Sequence, residues 1–263
     1  MNVLPLITEG RVELPMPGIS INVDRLINGF IDLIESTTNC RKDWVFHLPG
    51  DPDTDPDSGL VQKRVKEGAD EKTWFHYRPI LLQQLQEWGT EITPAQNSFL
   101  HQCDQFYHLM KLKAEQVLRE LDLAMPGYNF LEGMLSIPEH LRHVLRFLYY
   151  EPWHERMAKA HDDKNFLTLA VADSRPGLHF MQDRDLYQFK KDQILAFTGL
   201  KAEIATEGRL KSMAHYVDNF VLGDPRWSIV HFSHVPVQLS AGEIKQIINH
   251  RKKLHAAILA AQN

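Results

Sequence analysis

The sequence predicts a mainly β fold, a sandwich or jelly roll, with a helix-rich amino-terminal part and a single carboxy-terminal helix. Three observations carry this. Six short runs of branched and aromatic residues, divided by turn residues, fill the stretch from about 141 to 239: Val144–Tyr150, Phe166–Val171, Gly177–Met181, Gln193–Thr198, Met213–Val217 and Trp227–Phe232. Many short strands at such spacing are the pattern of a sandwich or jelly roll. On either side of that stretch, apolar residues recur at three- and four-residue steps, the helical period. The length, 263 residues, suits one such domain with helical additions. A single domain is expected, with a helical part over 1–140, the β core over 141–239 and a helix over 240–263.

Taken in order, Gly18 to Val23 reads as an extended stretch, and Arg25 to Glu35 (RLINGFIDLIE) as an amphipathic helix. Pro49 to Gly59, PGDPDTDPDSG, alternates Asp and Pro and reads as a surface loop. It is not a calcium loop. Counted from Asp51, the sixth and twelfth positions hold Pro56 and Gln62, and counted from Asp53 they hold Ser58 and Arg64, where Gly and Glu are needed. Thr93-Pro94 starts a long helix, with a capping residue followed by Pro at the first helical position. Phe99, Cys103, Phe106, Met110, Ala114, Val117 and Leu121 then form one apolar stripe. Pro126-Gly127 ends it. The last helix runs from Ser240 to Gln262. Ser240 and Glu243 form a capping box, and Ile244, Ile247, Ile248, Leu254 and Ile258 a partial apolar face.

Composition narrows the partners. With 43% hydrophobic and 24% charged residues, a packed core is expected. A net charge of −5 leaves no basic stripe of the kind nucleic-acid or membrane binding uses. Two cysteines, Cys40 and Cys103, are too few for a disulfide framework and read as buried thiols in a reducing compartment. There is no basic segment ahead of an apolar run at the amino terminus and no run of 18 apolar residues, so the expectation is a cytoplasmic protein.

Fourteen histidines stand out, and one of them, His161, sits at ligand spacing from a carboxylate. In HDDKNFLTLAVADSRPGLHF, His161 and Asp163 are two apart, so on a strand they share a face. His215, in another expected strand, can supply a third ligand. Two histidines and one carboxylate make the facial triad of non-haem Fe(II) oxygenases, which leaves positions open for a bidentate keto acid and for dioxygen. Alone, H-x-D arises by chance in a chain this rich in His and Asp. A further pair raises its weight. Arg226 and Ser228, in DPRWSIVHFSHVP, are also two apart, and a guanidinium with a neighbouring hydroxyl can grip a carboxylate. His179, His231 and His234 read as half-buried strand histidines, with His179 a second candidate for lining the cavity. Phe180 and Met181 are pocket candidates by position, and His231 should face away from Ser228.

From about Pro126 to Pro236 these segments resemble the isopenicillin-N-synthase-like branch of the 2-oxoglutarate/Fe(II)-dependent dioxygenase superfamily. LRFLYYEP is similar to that family's strand ending in Tyr-Tyr-Pro, and HDDKNFLTLAVADSRPGLHF to its H-T-D segment with a later P-G-L turn. ATEGRLKSMAHYV is similar to T-N-G-x-x-K-S-x-x-H-R-V, and RWSIVHFSHVP to the R-x-S strand. The resemblance implies a double-stranded β-helix. It implies Fe(II) on His161, Asp163 and His215, and 2-oxoglutarate as co-substrate with its far carboxylate on Arg226 and Ser228. Tyr150, or Tyr149 after a one-residue slip, would add a hydroxyl there, and ascorbate is a candidate accessory. The implied reaction couples decarboxylation of 2-oxoglutarate, with O2, to hydroxylation or desaturation of a small molecule. Three positions depart from the pattern: Asp162 stands for the usual Thr, Tyr216 for the usual Arg, and Gly199-Leu200 for the Gly-Asp turn. Asp162 is expected to be solvated. Two other readings stay open, a keto-acid-independent oxidase of the same fold and a jelly-roll binding protein without turnover. A zinc hydrolase would leave R-x-S unexplained.

Overall fold

The computed structural model describes residues 1–17, 22–37, 44–47, 57–63, 72–152, 156–182, 186–190, 192–218 and 223–260. In chain order these form α1 (Leu4–Thr8), β1 (Arg11–Pro15), α2 (Val23–Ser36), β2 (Val45–His47), β3 (Asp57–Lys63), β4 (Lys72–Tyr77), α3 (Ile80–Glu87), α4 (Pro94–Ala124), α5 (Phe130–Leu135) and α6 (Glu139–Arg142). Then follow β5 (His143–Tyr150), β6 (Arg156–His161), β7 (Leu167–Asp173), β8 (Leu178–Phe180), β9 (Leu186–Tyr187), β10 (Gln193–Thr198), α7 (Leu200–Ala205), β11 (His215–Asp218), β12 (Arg226–Ser233) and α8 (Ala241–Ala260). The strands make an eight-stranded sheet, ordered β1-β10-β7-β12-β5-β4-β3-β2, and a four-stranded one, β6-β11-β8-β9. All neighbours are antiparallel. The two sheets form the expected jelly roll.

The central strands of the large sheet are buried on both faces, which is why they read as nearly unbroken apolar runs. Alternate residues separate the two sides. In β7, Leu167, Leu169 and Val171 join a core shared with the helices, while Ala170 packs toward the small sheet. In β5, Leu145 and Phe147 face the helices, whereas Leu148 and Tyr150 meet Ala158, Leu178 and Val217 of the small sheet. The helical layer is built on α4. Thr93 and Gln96 close a reciprocal capping box at its start, and every residue of the expected stripe is buried. Past its end, the Asp122 carboxylate accepts the Phe130 and Leu131 backbone N–H groups and so caps α5.

Several expectations change. Among the described residues the amino-terminal half supplies four strands, β1 to β4, and not helices alone. Asp57 to Gly59, expected in a loop, begins β3, while Pro49 to Pro56 lies outside the described residues. Residues 18–21 of the expected extended stretch also lie outside them, and Asn22 instead caps α2 through its side chain. Cys40 is likewise outside. Cys103 is a buried free thiol. No described helix is long and apolar enough to cross a membrane.

Behind β12, His231 faces away from Ser228, as expected, into a polar pocket under α4. Its ring stacks on His143 at 5.1 Å and meets the Tyr107 ring edge at 5.9 Å. Neither ring nitrogen has a protein partner. Burial drives its pKa down to about 3, and burial also holds His143 and His234 well below their ordinary value. Between pH 3 and 6.5 the unfolded chain binds the His231 proton and the folded one does not, so stability is complete above 6.5 and falls with acid. His231→Phe should therefore flatten the pH dependence of unfolding free energy in that window by up to about 1.4 kcal/mol per pH unit. Urea titrations at pH 4.5, 5.5 and 7 would show this, and parallel curves for the two proteins would contradict it.

Candidate active site

His161 ends β6 and His215 begins β11, and antiparallel pairing sets them directly opposite one another. Their rings lie 4.5 Å apart, centroid to centroid. Asp163 is not on a strand. It falls in the turn after β6, and it reaches the histidines because the backbone bends back toward β7. The shared-face reasoning from strand geometry thus does not account for its place beside the histidines, and the bend does. His161 Nε2 and His215 Nε2 lie 3.7 and 4.0 Å from Asp163 Oδ1, and the ligand-capable atoms of all three residues fall within 4.8 Å of one another.

Each of these groups is oriented from behind. His161 Nδ1 donates to the Lys159 carbonyl at 2.7 Å, and His215 Nδ1 to the Met213 carbonyl at 2.9 Å. A backbone carbonyl only accepts, so both rings carry their proton on Nδ1 and turn an Nε2 lone pair toward Asp163. Burial, reinforced by neighbouring His215, holds His161 down at about 4 and so neutral at physiological pH. Asp163 Oδ2 accepts the Thr168 hydroxyl at 2.7 Å, while the Thr168 oxygen accepts the Asn165 amide at 3.0 Å. That leaves Oδ1 as the oxygen aimed at the histidines. Two lone-pair nitrogens and one carboxylate oxygen, each with its other atom occupied, fit a divalent cation held by nitrogen and oxygen ligands.

Beyond His215, the expected carboxylate grip, Arg226 and Ser228, lies on β12. Arg226, Ser228 and Tyr150 line the same cavity as His161, Asp163 and His215. Tyr150 pairs with Arg226 across the strands, and the guanidinium sits 5.8 Å over its ring. Tyr149 packs on the helical side, which settles which of the two tyrosines faces inward. Arg226 is also buried against Asp173, Nη2 to Oδ2 2.7 Å. Burial outweighs the attraction of Arg226 and lifts the Asp173 carboxyl to about 6. Leu178, not His179, lines the cavity; His179 stacks flat on Tyr216 at 4.9 Å. Phe180 packs against the His215 ring, 6.1 Å away.

Sequence reasoning missed several cavity residues. Lys72 enters from β4, and no spacing rule marked it. Arg146 follows the inward period of Leu148 and Tyr150 and could have been found from it. Its Nε donates to His76 at 2.6 Å and its guanidinium lies 4.7 Å over Phe232. Asp162 is the clearest correction. Expected in solvent, its side chain is 3% exposed and bonded to Arg251 and His255 of α8.

An antiparallel jelly roll with a His-Asp-His cluster at one mouth of its cavity defines a class, and comparison with known proteins agrees with it. Residues 141–235 match the family model of the 2OG-Fe(II) oxygenase superfamily. This segment contains all six expected site residues, and over it the chain is similar to that superfamily. No curated protein sequence matches it. Among solved structures it is similar to the dioxygenase for auxin oxidation 1 from Arabidopsis thaliana, crystallised with 2-oxoglutarate, at 17% identity and TM-score 0.66 over 88% of this chain and 85% of that one. A Neurospora crassa protein crystallised with alpha-KG and thymine is 17% identical, with TM-score 0.62 over 86% and 76%. A 2OG-Fe(II) oxygenase family protein from Caulobacter crescentus is 19% identical, with TM-score 0.59 over 89% and 83%.

The Asp163 turn tolerates no added atom beside it. A Cβ on Gly199 would lie 2.2 Å from the Asn165 carbonyl oxygen and 2.8 Å from that of Asp163. Gly199→Ala should cost about 3 kcal/mol of stability, because backbone must move. Gly208, at φ +85 with open space around it, should cost about 1 kcal/mol when changed to Ala. Denaturant unfolding of the two variants checks the order, and equal costs would refute the packing account.

Proposed function

We propose that the protein is a non-haem Fe(II) oxygenase that couples oxidative decarboxylation of 2-oxoglutarate to hydroxylation or desaturation of a small organic substrate. The observation that carries this reading is that His161, Asp163, His215, Arg226 and Ser228 all line one cavity between the two sheets. His161 Nε2, His215 Nε2 and Asp163 Oδ1 would hold the metal. When bound, Fe(II) supplies the oxidising chemistry, in which O2 converts the keto acid to succinate and carbon dioxide and oxidises the substrate.

The protein's own groups then have separate tasks. Arg226 and Ser228 fix the far carboxylate of 2-oxoglutarate, with Tyr150 closing the space beside it. Asp173 holds the guanidinium in place from the other side. Thr168 keeps the Asp163 carboxylate from rotating. Ala170, Leu148 and Val217 keep that end of the cavity apolar and dry. Lys72 and Arg146 add two cations to the lining besides Arg226. Basic groups at this lining suit a dianionic co-substrate.

The reading is tested by anaerobic titration of the Fe(II)-loaded protein with 2-oxoglutarate. A saturable visible charge-transfer band is expected, followed by succinate release once O2 is admitted. His215→Ala should abolish the band. Arg226→Leu should retain iron but raise the 2-oxoglutarate concentration for half-saturation at least tenfold, the loss of one charge-assisted bidentate contact. Iron binding without a band would favour the keto-acid-independent oxidase, and no iron binding would remove the oxygenase reading altogether.

A further inference from the structure

The helix α8 docks beside the ligand-bearing segments, yet not by its apolar face. Leu254 and Ile258, expected to be inward, are 49% and 36% exposed. The buried side chains of this helix are Ile244 near its start and His255 near its end. Besides Ile244 and the half-buried Ile247 and Ile248, α8 turns two polar groups one turn apart, Arg251 and His255, toward the body of the protein.

Both converge on Asp162, the residue between His161 and Asp163. His255 Nε2 donates to Asp162 Oδ2 at 2.7 Å, and Arg251 Nη1 to Oδ1 at 3.2 Å. Both carboxylate oxygens are thereby occupied. The other edge of Arg251 is also used, since Nη2 donates to Glu203 Oε1 on α7. Glu203 in turn accepts the Ser212 backbone N–H on Oε2 at 2.8 Å. Ser212 adjoins Met213, whose carbonyl orients His215. The network therefore runs from the turn that carries two of the three site residues, through one arginine, to the segment that carries the third.

We propose that Arg251 and His255 are positioning residues, and that α8 sets the separation between the 161–163 turn and the 212–215 segment through Asp162 and Glu203. The proposal rests on reading His161, Asp163 and His215 as metal ligands, but its mechanical part does not. Antiparallel pairing aligns His215 with His161 and leaves Asp163, beyond the strand end, to be held by its surroundings. Leu200 N–H donates to the Asp163 carbonyl at 2.7 Å and fixes its backbone. Arg251 and His255 fix the residue before it. Neither touches the reacting groups, so neither is catalytic.

The test uses the full chain and five variants, Arg251→Met, His255→Leu, Asp162→Asn, the conservative His255→Gln, and Lys253→Ala on the exposed side of α8. Metal affinity is measured with Co(II) alone, through its visible ligand-field spectrum. Hydrogen exchange is followed in the metal-free protein over residues 159–165 and 210–216. Arg251→Met and His255→Leu should weaken Co(II) binding about 10- to 100-fold, the range for groups that orient metal ligands. Both should speed exchange in the two segments together. Asp162→Asn should do the same, its combination with Arg251→Met should be less than multiplicative, and His255→Gln should recover most of the affinity. Lys253→Ala should match wild type. Exchange in both segments unchanged by Arg251→Met would overturn the proposal. So would faster exchange with Co(II) affinity within twofold of wild type. If wild-type protein binds no Co(II) while the variants still speed exchange, the metal reading fails and the mechanical coupling stands.

Discussion

The opposition of His161 and His215 across β6 and β11 is the constraint on which the site depends. In an antiparallel pair, register decides which side chains share a face, and a slip by one residue would turn a ring out of the cavity. Here the pairing is irregular just past this point, with shifts between His215 and Val217 and between Val217 and Asp218. The matched pair is therefore held locally. Each ring is tied to a carbonyl two residues back in its own chain, Lys159 and Met213. The same hydrogen bonds that fix orientation also fix tautomer, so one local device delivers both geometry and chemistry.

The opposite end of the cavity is organised by charge. Arg226 lies buried against Asp173, which alone would be an expensive arrangement, since desolvating two ions usually costs about what their attraction returns. The carboxyl near 6 shows burial gaining the upper hand. A pair in this balance is poorly explained as a stabilising device. It is better explained as a support that keeps a guanidinium extended along the cavity floor. Lys72 and Arg146 line the same cavity as Arg226, so its basic side chains outnumber its acidic ones.

Much of the architecture was legible, and the reasons are physical. The strands β5, β7, β10 and β12 are buried on both faces, so their apolar runs stand out against the rest of the chain. The stripe of α4 follows the helical period without interruption. By contrast β4, KTWFHY, and β6, RMAKAH, mix charge with apolar residues, because one side of each faces a polar cavity or an edge. Their composition resembles a loop. Lys72 was invisible for that reason. The candidate site residues stood out through short spacings and through family resemblance. Asp173 did not, because its partner Arg226 lies 53 positions away, and Thr168 did not, because its bond to Asp163 depends on the bend of the chain between them. Asp162 was misread because its two partners lie 89 and 93 positions away.

That misreading bears on how a surface helix finds its place. Apolar docking is non-directional and tolerates sliding along the contact. A buried carboxylate with both oxygens engaged does not, since movement by one turn would strand it without partners at a cost of several kcal/mol. Burial raises the Asp162 carboxyl, but hydrogen bonds from His255 and Ser212 and the charge of Arg251 bring it down to about 2, so it stays ionised throughout the range in which the protein would work. The helix α8, with little apolar surface inward, thus exchanges adhesion for register. Register is what a site split between two chain segments requires. In this chain Asp162, between His161 and Asp163, gives α8 its anchoring point through contacts made within the same molecule.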